Sequence, residues 1–183
     1  MTETIDIFRA RASRFSAVAS AAAGHWDAPS PCADWTAGDV VRHVIETEQD
    51  FLNRHGLTVA APEGTDPAQA WDQHLQQVLT LVTPEVAARE FDGYFGPSTI
   101  GDTLADFYGW DLAVHAWDLA SATGQPDPID DAEAEALLKG AEGWGDALYS
   151  EGVCGPAKPV SPDAGPVERL LATLGRDPHW TAA

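Results

Sequence analysis

The sequence predicts an all-α fold, a single helical-bundle domain over residues 1–183 with an additional C-terminal helix and an irregular arm. Three observations predict it. Apolar residues recur at spacings of three and four through most of the chain, connectors carrying proline and glycine separate those stretches, and no convincing alternating run marks a strand.

Helix one is expected from about Thr4 to Ala23, where Ile5, Phe8, Ala12, Phe15 and Ala19 form one stripe that ends at Gly24. His25 to Asp34 carries Pro29 and Pro31 and reads as an extended connector. Thr36 is an N-cap with Asp39 three residues on, and Val40, Val41, Val44, Ile45, Phe51 and Leu52 carry helix two to about Arg54. After a loop punctuated by Pro62 and Gly64, Asp66-Pro67 starts helix three, whose stripe is Trp71, Leu75, Val78, Leu79 and Val82. Thr83-Pro84 closes it. Phe91 to Pro97 fits either a short strand or a loop. Helix four runs from Ser98 or Gly101 to Thr123, stopped by Gly124, Pro126 and Pro128. Helix five follows Ile129-Asp130 on the stripe Leu137, Leu138, Ala141, Trp144 and Leu148. Gly152 to Pro166 holds four prolines and three glycines, the irregular arm, before a last short helix with Val167, Leu170, Leu171 and Leu174.

Composition narrows the function. With 29 acidic against 10 basic residues the net charge is -19, so a nucleic acid or an anionic membrane would have to bind against the protein's own field. Neither is an expected partner. At 44% hydrophobic residues the chain has material for a packed core, and no apolar run reaches the length of about 18 that a membrane span needs. Arg9, Arg11 and Arg14 before the Ala17–Ala23 stretch imitate a signal peptide, but Glu3, Asp6 and the helical periodicity argue against it, and the expected location is cytoplasmic. Cys32 and Cys154 are read as reduced thiols.

The motifs of phosphate-binding loops, dinucleotide folds, zincins and serine hydrolases are absent. What remains are polar residues that interrupt apolar helix faces. Asp111 and His115 are four apart, on one face about 6 Å apart along the axis, and a single metal can be held by both. The plain alternative is a satisfied core His–Asp pair. His43 lies at the edge of the helix-two stripe, and Glu48 lies within it, where an unpaired carboxylate is prohibitive and a partner is required. Two histidines and a carboxylate from two facing helices make a three-ligand site with open positions, acceptable to Zn²⁺, Ni²⁺ or Fe²⁺. Cys32 reads as a small hydrophobe under a loop, and His25, His55, His74 and His179 as structural or solvated.

The stretch Trp26-Asp27-Ala28-Pro29-Ser30-Pro31-Cys32-Ala33-Asp34-Trp35-Thr36, leading to Asp39 and His43, resembles the W-x-x-P-[ST]-P-C-x-x-W-[ST]-x-x-D-[LV]-x-x-H opening of proteins related to mycothiol-dependent maleylpyruvate isomerase, in the DinB superfamily. Asp111 to Ala120 is similar to their D-x-x-x-H-x-W-D-L-A helix, and Ala172-Thr173-Leu174-Gly175-Arg176-Asp177-Pro178 to their C-terminal L-L-G-R-x-P ending. The resemblance implies a DinB-like four-helix core with a divalent metal at His43, Asp111 and His115. It also implies a reaction style, with a low-molecular-weight thiol such as mycothiol activated for S-transfer to, or isomerisation of, a small electrophile. Glu48 is the candidate catalytic carboxylate or a residue orienting His43, and Trp117 and Tyr108 are candidate pocket walls. Asp111, one methylene shorter, stands where the isomerase has a glutamate, which bears on metal identity and geometry; no counterpart of that enzyme's additional C-terminal domain is expected, and the resemblance does not extend to that particular substrate. A hydrolase using metal-activated water, a non-catalytic metal-binding accessory or stress protein, and a metal-free helical dimer stay open as alternatives.

Overall fold

The computed structural model describes residues 2–64, 66–150 and 152–182. Helix α1 spans Thr2–Ala21, two residues short of the expected end, because the chain already turns at Ala22 and passes through the left-handed region at Gly24 (φ 84°). Helix α2, Ala37–Arg54, begins on a full capping box: Thr36 Oγ1 accepts from the Asp39 N–H, and Asp39 accepts from the Thr36 N–H. Helix α3, Pro67–Leu81, is capped by Asp66, and a single turn α4, Pro84–Ala87, follows the Thr83 cap.

The undecided stretch is a hairpin. Strands β1, Glu90–Gly93, and β2, Gly96–Thr99, pair antiparallel from Glu90 opposite Thr99 to Gly93 opposite Gly96. The expected helix four begins at Ile100 and is continuous to Ala122, but in three parts: α5 over Ile100–Thr103, a π turn over Leu104–Tyr108, and α6 over Gly109–Ala122. In the π turn the Gly109 N–H reaches back to the Leu104 carbonyl. Helix α7 spans Asp131–Trp144 and runs into a 3₁₀ turn over Gly145–Tyr149, and the arm then leads to α8, Pro166–Thr173.

Helix α6 is apolar almost all round, and of its residues only Asp111 and Ser121 escape full burial. Such a helix must be covered on every side. One side faces a core built from Phe8, Phe15, Val40, Leu52, Trp71 and their neighbours on α1, α2 and α3. The other faces a second apolar cluster in which Trp110, Val114 and Trp117 meet Leu137, Leu148, Leu170 and Leu171 of the C-terminal third. Trp71 has no exposed surface, and its indole N–H donates to Ser16 Oγ at 2.7 Å, which ties α3 to α1 without leaving a buried donor unpaired. Among the described residues no helix is long and apolar enough to cross a membrane.

Candidate metal centre

His43 and Thr47 of α2 and Asp111 and His115 of α6 converge on the wall of a cavity of about 570 Å³. Its floor comes from His43 on α2 and from Asp111, Val114 and His115 on α6, and its mouth from the 31–35 loop, the end of α7 and the arm. The loop is held to the start of α2 by backbone bonds, Ser30 N to Trp35 O at 2.9 Å and Ala37 N to Ala28 O at 2.8 Å. Inside it, Ser30 Oγ accepts from the Cys32 N–H, and Asp34 takes a positive φ of 65°, a conformation that a short polar side chain tolerates. This turn delivers Cys32 and Trp35 to the cavity.

His43 Nε2 lies 3.9 Å from Asp111 Oδ2, and His115 Nε2 lies 3.4 Å from Asp111 Oδ1. One donor atom from each of the three residues fits within a mutual distance of 4.8 Å. Donors held about 2.1 Å from one centre at tetrahedral angles stand about 3.4 Å apart, so the trio is spaced as ligands of one ion would be. The second test is orientation. His115 Nδ1 sits 2.9 Å from Asp118 Oδ2, and a proton there donates to Asp118 and leaves the Nε2 lone pair on the Asp111 side, the carboxylate–histidine arrangement typical of metal ligands. The trio therefore fits a divalent cation, and all three residues line the cavity.

A second cluster, Cys32, His115 and Asp118, meets the same distance criterion. It already has its cation. Arg176 Nη2 lies 2.7 Å and Nε 3.2 Å from the two Asp118 oxygens, a two-pronged pair that neutralises a carboxylate with no exposed surface. Cys32 Sγ is 3.3 Å from Asp118 Oδ2 and Cys154 Sγ 4.0 Å from Arg176 Nη1, so both thiols border this pair.

The charges follow. Burial disfavours ionisation of His115, but Asp111 and then Asp118 outweigh it and hold the imidazole well above its ordinary range. Burial works against Asp111 too, and His115, His43 and Arg176 hold it below the usual carboxylate range. His43 moves the other way, lowered by burial and by the neighbouring His115, so its ring stays neutral. Trp35 covers both imidazoles, with ring centroids 4.7 Å from His43 and 6.0 Å from His115.

Glu48 is set apart from this group. It is buried, does not line the cavity, and meets His74 Nε2 of α3 at 2.8 Å. The partner that its burial demanded is thus on α3 and not at His43, and His74, with no exposed surface, is a core residue. Burial raises the Glu48 carboxyl above its usual range. Tyr108 and Trp117 also lie away from the cavity wall: Tyr108 packs on Phe51 in the first core and Trp117 in the second. The walls are Trp35, Phe107, Trp110 and Trp144 instead. Sequence reasoning gave Asp118 and Arg176 no role, although a carboxylate three residues after His115 on an apolar helix signals a buried cation partner.

Two uncharacterised proteins of Mycobacterium tuberculosis, one from strain CDC 1551 / Oshkosh and one from strain ATCC 25618 / H37Rv, are each 28% identical to this chain over 156 residues, covering 81% of it and 83% of the relative. No solved structure matches the chain. Residues 8–120 match the model of the mycothiol maleylpyruvate isomerase N-terminal domain. That match takes in His43, Asp111, His115 and Asp118 and stops short of Arg176, and on it the chain belongs to this family, within the DinB-like superfamily.

Proposed function

We propose that the protein binds one divalent metal between His43, Asp111 and His115 and activates a low-molecular-weight thiol of the mycothiol type, in the cytoplasm, for transfer to or isomerisation of a small electrophile. The observation that carries this reading is the ligand-like spacing of the three donors on the wall of a cavity large enough for small molecules. Zn²⁺, Ni²⁺ and Fe²⁺ all suit two imidazoles and a carboxylate. Such an ion, when bound, supplies the Lewis acidity that lowers the pKa of a coordinating thiol. The chain's own residues do the rest. Asp118, fixed by Arg176, sets the ring orientation and tautomer of His115, and Trp35 shields both imidazoles from bulk water.

A non-catalytic metal site would be expected to close its coordination shell with a fourth protein ligand, such as Glu48 on the same helix as His43. Its pairing with His74 supports the open, reactive site over that alternative. The test is elemental mass spectrometry of untagged protein in metal-free buffer, beside the His43→Ala, His115→Ala double variant. About one Zn, Ni or Fe per chain, lost in the variant, is expected, followed by mycothiol consumption in an electrophile screen. Protein that holds no metal and takes up none on titration overturns the proposal.

A further inference from the structure

The cavity has walls of two kinds. The donor trio occupies one side, and Phe107, Trp110 and Trp144 the other. These three rings form a contiguous surface, with Trp144 centred 5.4 Å from Phe107 and 4.7 Å from Trp110. Trp110 is held rigidly, its indole N–H donating to the Leu137 carbonyl at 2.9 Å, and Phe107 remains 40% exposed although it lies among apolar neighbours. An exposed ring beside a half-buried one, backed by the buried Trp110, inside a cavity is an apolar face awaiting a partner.

Charge narrows that partner. Among the described residues that line the cavity, Lys158 and Arg176 are the permanent cations. Arg176 is committed: Nε and Nη2 to Asp118, and Nη1 to the Leu174 carbonyl. Lys158 is exposed on the arm, where an ion pair is worth little. Asp111 adds negative charge on the opposite wall, in a chain of net charge -19. On the aromatic wall itself, away from the donor trio, a small dianion would lose its hydration and gain one solvated ammonium. A flat uncharged ring would lose no charge hydration and would cover the open surface of Phe107 and Trp144.

We infer that the wall of Phe107, Trp110 and Trp144 is the subsite for an uncharged aromatic or conjugated ring, the substrate class of the site. The reaction at that ring rests on the thiol-activation reading above, whereas ring binding itself does not.

The experiment is isothermal titration calorimetry with 2-naphthol and, separately, maleate, on protein as purified and again after metal chelation. 2-Naphthol is expected to bind in both states, and about tenfold more weakly to Phe107→Ala and to Trp144→Ala, each checked for wild-type circular dichroism. Phe107→Ala removes a ring that is 40% exposed and belongs to neither apolar cluster, and keeps the test valid if Trp144→Ala fails to fold. After chelation, where maleate has no ion to ligate, it is expected to bind at least about tenfold more weakly than 2-naphthol. Maleate binding to chelated protein as tight as 2-naphthol, no 2-naphthol binding at all, or unchanged 2-naphthol affinity in Phe107→Ala, overturns the inference. The two readings fail separately: protein that takes up no metal on titration yet binds 2-naphthol defeats the metal–thiol proposal alone, and metal-loaded protein that ignores 2-naphthol defeats the ring subsite alone.

Discussion

At the scale of single residues, Asp118 and Arg176 hold more of this molecule together than their positions in the chain suggest. The carboxylate has no exposed surface and faces Arg176, His115 and Cys32 at once. Removing one partner of a buried ion pair strands the other charge, so Asp118→Asn is expected to cost about 3–5 kcal/mol of unfolding free energy, read by urea denaturation. Burial opposes the Asp118 charge, but Arg176 and His115 prevail and hold its folded pKa below the ordinary range. A depressed acid stabilises the fold above its unfolded pKa and loses that contribution as the pH falls toward the folded value. The gap between wild type and Asp118→Asn should therefore narrow below about pH 4, and a gap independent of pH would contradict this account.

At the scale of elements, the arm is pinned by glycine contact. Gly175 has a φ of 77°, and a Cβ there would stand 2.9 Å from the backbone carbon and oxygen of Gly155. Gly124 shares the left-handed conformation (φ 66°) but has nothing within 4 Å of its missing Cβ. Gly124→Ala should then pay backbone strain alone, about 1 kcal/mol. Gly175→Ala pays the same strain and also pushes the arm away from α8, where Lys158 N–H bonds to the Ala172 carbonyl. The expected outcome is faster limited proteolysis between residues 152 and 165 in Gly175→Ala than in Gly124→Ala, and equal rates would show that the close approach does not hold the arm. The π turn at Leu104–Tyr108 is a second local feature with a cost: Gly109 tolerates it, since a Cβ there would come within 3.1 Å of the Leu104 carbonyl. Arg11 Nη1 donates to the Ala105 carbonyl within that turn.

At the scale of the whole molecule, α6 is shared by two apolar clusters, so neither can be lost without uncovering it. Leu170→Ala, in the fully buried heart of the second cluster, should cost about 2–5 kcal/mol and lower one common midpoint followed by tryptophan fluorescence and by helical circular dichroism. Two separated transitions would mean the clusters unfold independently. The long helices were legible because α1, α2, α3, α6 and α7 carry their apolar residues at helical spacing, and the trio of donors because Asp111 and His115 stand four apart on a stripe. The hairpin was not decided, since Glu90–Gly93 and Gly96–Thr99 are too short to show alternation. Arg176 and Cys32 were assigned no site role because their meeting depends on closure of the chain over 144 residues, which no local pattern records. The donors stand on two helices locked into the core, whereas Trp144, Val153, Cys154 and Lys158 belong to the end of α7 and the irregular arm. Insertions and deletions in that arm can reshape the mouth of the cavity while the donors stay where they are. Descendants of one ancestral gene are thereby free to diverge in what they admit, with the innermost residues inherited unchanged.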